Sequence, residues 1–212
     1  DGTRFAAAGL DGAALMLTVI GPKMGRTFRV VYTLEELGLA YRLEVERPHS
    51  EGLYAVNPLG QAPVLRDGDS VLTDSLAISH FLADRSGRLT FPAGTVERAR
   101  MDGRINFIIT EMEAPIWLMA RHGFVLPKEM RVPGMRAVAE ADFARAEAKF
   151  EVLLGSDAYF CGSSFTLADV FAADIARWAE QAKITLTSDV LKTYADRMAQ
   201  RPAWKRAMEA MT

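Results

Sequence analysis

Apolar residues fall along this chain in two regimes. Up to about residue 86 they come in short runs and alternations broken by Gly and Pro; beyond residue 96 they recur every three to four positions. Residues 15–20, LMLTVI, end at Gly21-Pro22, and a short apolar run with that stop favours a buried strand over a helix. Thr27 stands where it can cap a helix running to Leu37, with Val30, Val31, Leu34 and Leu37 on one stripe. Gly38 fits the left-handed stop. From Tyr41 to Glu46, Tyr41, Leu43 and Val45 alternate with Arg42, Glu44 and Glu46, the pattern of a half-buried strand. A loop with Pro48, Gly52, Asn57, Pro58 and Gly60 follows. Pro63–Arg66 then reads as a strand, Asp67-Gly68-Asp69 as a tight turn, and Ser70–Leu72 as the return strand. Asp74 and Ser75 sit at a predicted helix start, and Leu76, Ile78, Phe81 and Leu82 carry its stripe towards Asp84.

The second regime predicts helices over Val96–Arg121, Pro133–Leu154, Thr166–Ala182, Ser188–Gln200 and Pro202–Met211. Pro115 is expected to kink or divide the first, because proline lacks the amide donor and its ring crowds the preceding turn. Thr166-Leu167-Ala168-Asp169 is a helix-start signature in which hydroxyl and carboxylate cap reciprocally, with Phe165 and Val170 at the staple positions. Arg100 and Arg104, with Glu97 nearby, are expected on a solvated helix face. The division is therefore an extension at 1–14, an α/β domain at 15–86, a linker at 87–95 and an all-helical domain at 96–212.

Composition excludes several function classes. Among 212 residues, 50% are hydrophobic and 25% charged, which is ordinary for a globular chain. The net charge of -2 lacks the basic excess of a nucleic-acid binder. No apolar run approaches the roughly 18 residues that cross a bilayer, and no secretory leader is expected in the first residues. A single cysteine, Cys161, excludes an internal disulfide, and three scattered histidines argue against a metal site.

Taken together, five segments make the chain similar to cytosolic glutathione transferases: FRVVYTLEELGLAY at 28–41, NPLGQAPVL at 57–65, TDSLAISHFL at 73–82, YFCGSSFTLADV at 159–170 and RPAWKRA at 201–207. The resemblance implies a thioredoxin-like α/β N-terminal domain followed by an all-α helical bundle. It implies glutathione as co-substrate with no metal, a homodimer, a cytoplasmic location, and no nucleic-acid or membrane partner. It also implies site roles. A cis Ala62–Pro63 bond would turn the Ala62 backbone outward to pair with an extended tripeptide. Asp74 and Ser75, at a helix N-terminus, would hold the γ-glutamyl end; a plain N-cap explains Asp74 equally. His49 and Gln61 would reach the glycyl carboxylate.

The loop Gly21–Thr27 departs from the family pattern. The usual Tyr, Ser or Cys position, which serves the thiol, falls on Met24 or Gly25. If glutathione is activated, the candidates are the Thr27 hydroxyl, the Arg26 charge or the backbone amides of the helix N-terminus; Thr27 as a simple cap is the alternative. Met24, Met112, Ile116 and Trp117 are the candidate walls of the second pocket, where they would meet a small apolar electrophile. The leading expectation is a transferase. A glutathione or apolar-ligand binding protein without efficient chemistry, and a glutathione-dependent isomerase or lyase, are the alternatives.

Overall fold

A computed structural model describes residues 16–212. The expected extension at 1–14 and Leu15 lie outside the described residues. β1 (Leu17–Ile20) is buried throughout. It pairs in parallel with β2 (Tyr41–Glu44) and antiparallel with β3 (Val64–Asp67). β3 returns as β4 (Ser70–Thr73) around Gly68-Asp69, giving the order β2-β1-β3-β4. The parallel β1–β2 pair needs a crossover, and α1 (Thr27–Leu37) supplies it, ending at Gly38 with φ 69°.

Three local expectations are corrected in this half. Val45 does not join the buried face of the second strand; it is exposed just past the end of β2 on the sheet edge. Thr27 is the first helical residue rather than the cap. Arg26 takes the cap position without a side-chain bond, because the turn at Gly25 (φ 60°) already returns the Phe28 amide to the Gly25 carbonyl. Finally, α2 (Glu51–Tyr54) lies inside the segment read as loop, capped by the Ser50 hydroxyl. Four residues are too few to show a helical period.

α3 (Ser75–Ser86) completes the first half. In the second, α4 (Val96–Phe107), a wide π turn (Ile108–Glu113), α5 (Ala114–Ala120) and a further π turn (Arg121–Val125) follow without a break. Pro115 stands near the start of α5. The segment read as one helix is thus divided into α4 and α5 by a π turn next to Pro115, where the missing amide and the ring disturb the regular ladder. α6 (Met135–Leu154), α7 (Leu167–Gln181), α8 (Asp189–Ala199) and α9 (Pro202–Ala210) complete the bundle.

The predicted capping box opens α7. The Asp169 carboxylate does more than cap: it accepts from the Thr166 amide at 2.8 Å, the Phe160 amide at 2.7 Å and the Tyr194 hydroxyl at 2.6 Å. It thereby ties the preceding loop and α8 to the start of α7. Burial raises its pKa, against the pull of those donors. Arg104 is corrected too. Its guanidinium lies 5.1 Å from the Phe160 ring and carries a buried nitrogen, so it covers core rather than facing solvent.

One apolar cluster joins residues of both halves. α9 closes on α1: the Trp204 ring meets Phe28 at 5.0 Å and Tyr32 at 5.2 Å, while Arg201 donates twice to Glu36, at 2.6 and 2.8 Å. The bidentate fork fixes the angle at which α9 crosses.

Candidate functional site

The site grows from the chain's exit out of β1. A side chain at Gly21 would meet Thr27 Oγ1 at 2.6 Å and Ala62 Cβ at 3.3 Å, so glycine is required for the loop, the start of α1 and the head of β3 to converge. The Thr27 side chain fills that convergence. It is 1% exposed, and its buried hydroxyl has no partner. A thiol donor needs a surface within hydrogen-bond reach, and this hydroxyl presents none. Arg26, next to it, is partly open, with 38% of its side chain exposed. Its Nε donates to Glu113 Oε1 at 2.6 Å. Its guanidinium lies 5.5 Å from the Trp117 ring and 5.8 Å from the Trp178 ring.

The second limb is the segment before β3. The Ala62–Pro63 bond is cis, and Pro63 is buried. Asn57, itself buried, shapes the approach: Nδ2 donates to the Gln61 carbonyl at 2.8 Å and Oδ1 accepts from the Leu59 amide at 3.1 Å. Gln61 is exposed at the rim. His49, with φ 64°, is exposed as well, and its Nδ1 lies 3.0 Å from the Tyr54 hydroxyl. His49 is thus anchored within its own loop rather than loose.

The third limb is the start of α3. Asp74 Oδ1 accepts from the Leu76 and Ala77 amides at 2.8 and 3.0 Å, so the plain cap is formed. Asp74 also holds φ 71°, outside the range a non-glycine residue adopts freely. Strain of that kind persists where the surroundings over-determine it, and it gathers at functional sites. Ser75, the first residue of α3, is buried.

The expected pocket wall divides. Met24 is 61% exposed and Trp117 is 38% exposed, whereas Met112 and Ile116 are sealed in the core. The latter two continue the apolar stripe of Met101, Ile105 and Ile108 through the π turn into the core, so their helical spacing marked packing rather than a pocket wall. Among the described residues no group of three or more His, Cys, Asp or Glu side chains could hold a metal ion.

Comparison with known proteins bears on this geometry. Residues 26–85 match the model for the N-terminal domain of glutathione S-transferases, and residues 96–210 match that for the C-terminal domain. The chain belongs to the glutathione S-transferase family. Glutathione S-transferase GstA of Escherichia coli O157:H7 is 30% identical over 166 residues, which cover 76% of this chain and 79% of the relative. A glutathione transferase of Methylococcus capsulatus has the same fold, with a TM-score of 0.77 and 26% identity over 92% of this chain and 98% of that one. The theta class enzyme of Xanthomonas axonopodis pv. citri, solved with glutathione bound, superposes with a TM-score of 0.77 at 24% identity, covering 91% and 96%.

In this transferase, four charged residues at the site escape a reading of the sequence. Glu113, Arg29, Asp174 and Arg177 are scattered over two helices and a π turn, and three of them look like ordinary helix-surface charges. The fourth, Arg29, lies off the Val30, Val31, Leu34 and Leu37 stripe, so its spacing reads as surface too, yet it is 1% exposed. Packing on more than one side of α1 buries it, and spacing alone carries no signal of that.

Proposed function

We propose that this transferase binds glutathione along the head of β3 and transfers its thiolate to a small apolar electrophile. The tripeptide backbone pairs with Ala62 beside the cis bond. Ser75 and Asp74 hold its γ-glutamyl end, and Gln61 with His49 faces its glycyl carboxylate. Arg26 stabilises the thiolate, helped by the open amides at the start of α1. The electrophile meets Met24 and Trp117. The protein works as a cytoplasmic homodimer without a metal.

The observation that carries this reading is the meeting of Gly21, Thr27 and Ala62. The head of β3 there meets the start of α1, one residue from a partly exposed guanidinium, which supports a tripeptide lying along that edge. A cation near a thiol favours the charged form, and Arg26 is the one side chain of the loop's former candidates that keeps both charge and surface. A second reading, a binding protein without efficient chemistry, is favoured by the exposed Met24, since the donor position that the family resemblance implies falls on Met24 or Gly25 and neither side chain can donate.

An ultraviolet titration of bound glutathione separates the two. A thiol pKa well below that of free thiol is expected, and Arg26→Ala raises it. Binding with an ordinary thiol pKa leaves the binding protein; no binding removes the ligand assignment altogether. A screen of small electrophiles then separates general conjugation from isomerase or lyase chemistry on one metabolite.

A further inference from the structure

Five charged side chains form one continuous ladder beneath the site. Glu113 Oε1 takes Arg26 at 2.6 Å, and Glu113 Oε2 takes Arg29 at 2.8 Å. Asp174 Oδ2 takes Arg29 at 2.9 Å, and Asp174 Oδ1 takes Arg177 at 2.7 Å. Three guanidinium groups against two carboxylates leave one positive charge in excess. Arg29, Glu113 and Asp174 are sealed from solvent, and the Arg177 side chain is 8% exposed. Arg26 alone opens outward. Burial opposes the charge on Arg29, but Asp174 and Glu113 outweigh it and hold Arg29 firmly protonated. The excess charge therefore sits at the open end, at Arg26, where an anion can approach.

Glu113 decides where that charge stands. It belongs to the helical half, whereas Arg26 and Arg29 belong to the α/β half. One of its oxygens holds the exposed cation and the other holds the buried one. Without it, Arg26 and Arg29 are like charges with nothing between them, and Arg26 relaxes towards water, regaining side-chain freedom.

We propose that Glu113 is a positioning residue for glutathione activation: carried on the π turn, it fixes the Arg26 guanidinium at the place of the bound thiolate. This rests on the reading that Arg26 faces the thiol. The outcome has a definite sign. A carboxylate acting only through its negative charge would raise the thiol pKa, so its removal would lower that value. A carboxylate acting by placement gives the opposite result.

The test is the ultraviolet titration of bound glutathione in the full chain, for the unaltered protein, Glu113→Gln, Arg26→Ala and the double variant. Glu113→Gln is expected to raise the bound thiol pKa by about one unit, towards the value in Arg26→Ala, and to add nothing in the double variant. If Arg26→Ala raises the pKa but Glu113→Gln leaves or lowers it, the positioning role is overturned and the Arg26 assignment stands. If Arg26→Ala changes nothing, the underlying reading fails instead. Should Glu113→Gln not fold, Glu113→Asp keeps the charge but withdraws it by ~1.5 Å, one C–C bond. A rise in thiol pKa there supports placement, and an unchanged value overturns it.

Discussion

Asp174 on α7 and Arg29 on α1 meet at 2.9 Å across the two halves of the chain, with both side chains buried. The pair is a structural joint as well as part of the site, since each ion would be costly to bury alone. Asp174→Asn keeps the shape and removes the charge, leaving three guanidinium groups around one carboxylate. A loss of about 3–5 kcal/mol is expected, read from denaturant melts at neutral pH. A loss below ~1 kcal/mol would mean that water or a shifted side chain compensates for the missing charge.

Gly21 provides a test of the convergence at the site. Gly21→Ala puts a methyl group 2.6 Å from Thr27 Oγ1 and is expected to destabilise by about 1–3 kcal/mol through overpacking. Adding Thr27→Ala removes the obstructing side chain and recovers most of that loss. A double variant no more stable than Gly21→Ala would place the clash elsewhere.

Ser75→Ala is expected to weaken glutathione binding by about 1–3 kcal/mol, from a lost hydrogen bond to a charged group. Calorimetry reads it directly. Unchanged affinity would take Ser75 out of the γ-glutamyl contact while leaving its place at the start of α3 intact.

Acid stability turns on His80. Burial, with Arg98 at 3.0 Å, lowers its pKa from the usual 6.5, and Asp102 and Asp84 only partly offset this. The unfolded chain therefore binds the proton more readily than the folded one. Stability should fall as pH drops from 6.5 through the lowered folded value, and level off beneath it. His80→Gln is expected to flatten that limb in melts taken across the range. An equally steep decline in His80→Gln would assign the loss to other groups.

How much of this was legible beforehand differs by element. Gly38, the Gly68-Asp69 turn and the Thr166–Asp169 box depend on residues within a few positions of one another, so their chemistry is written locally. α2 escaped because one helical turn shows no period, and the cap of α1 slipped to Arg26 because the Gly25 turn closes first.

The same division runs through the site. The cis Ala62–Pro63 bond and the helix start at Asp74-Ser75 were legible through backbone chemistry particular to proline and to helix starts, and five short segments in order were enough to place the chain in its family. Thr27, Met112 and Ile116 could not be assigned in that way. Whether a hydroxyl is open or sealed, and whether an apolar stripe faces a cleft or the core, depends on what packs against it from far along the chain. The ladder from Arg26 to Arg177 is the extreme case. Its partners are separated by up to 145 residues, and a buried charge finds its counter-ion through folding rather than through spacing. Sequence determines which charges exist; three-dimensional packing removes them from water and so makes their pairing matter.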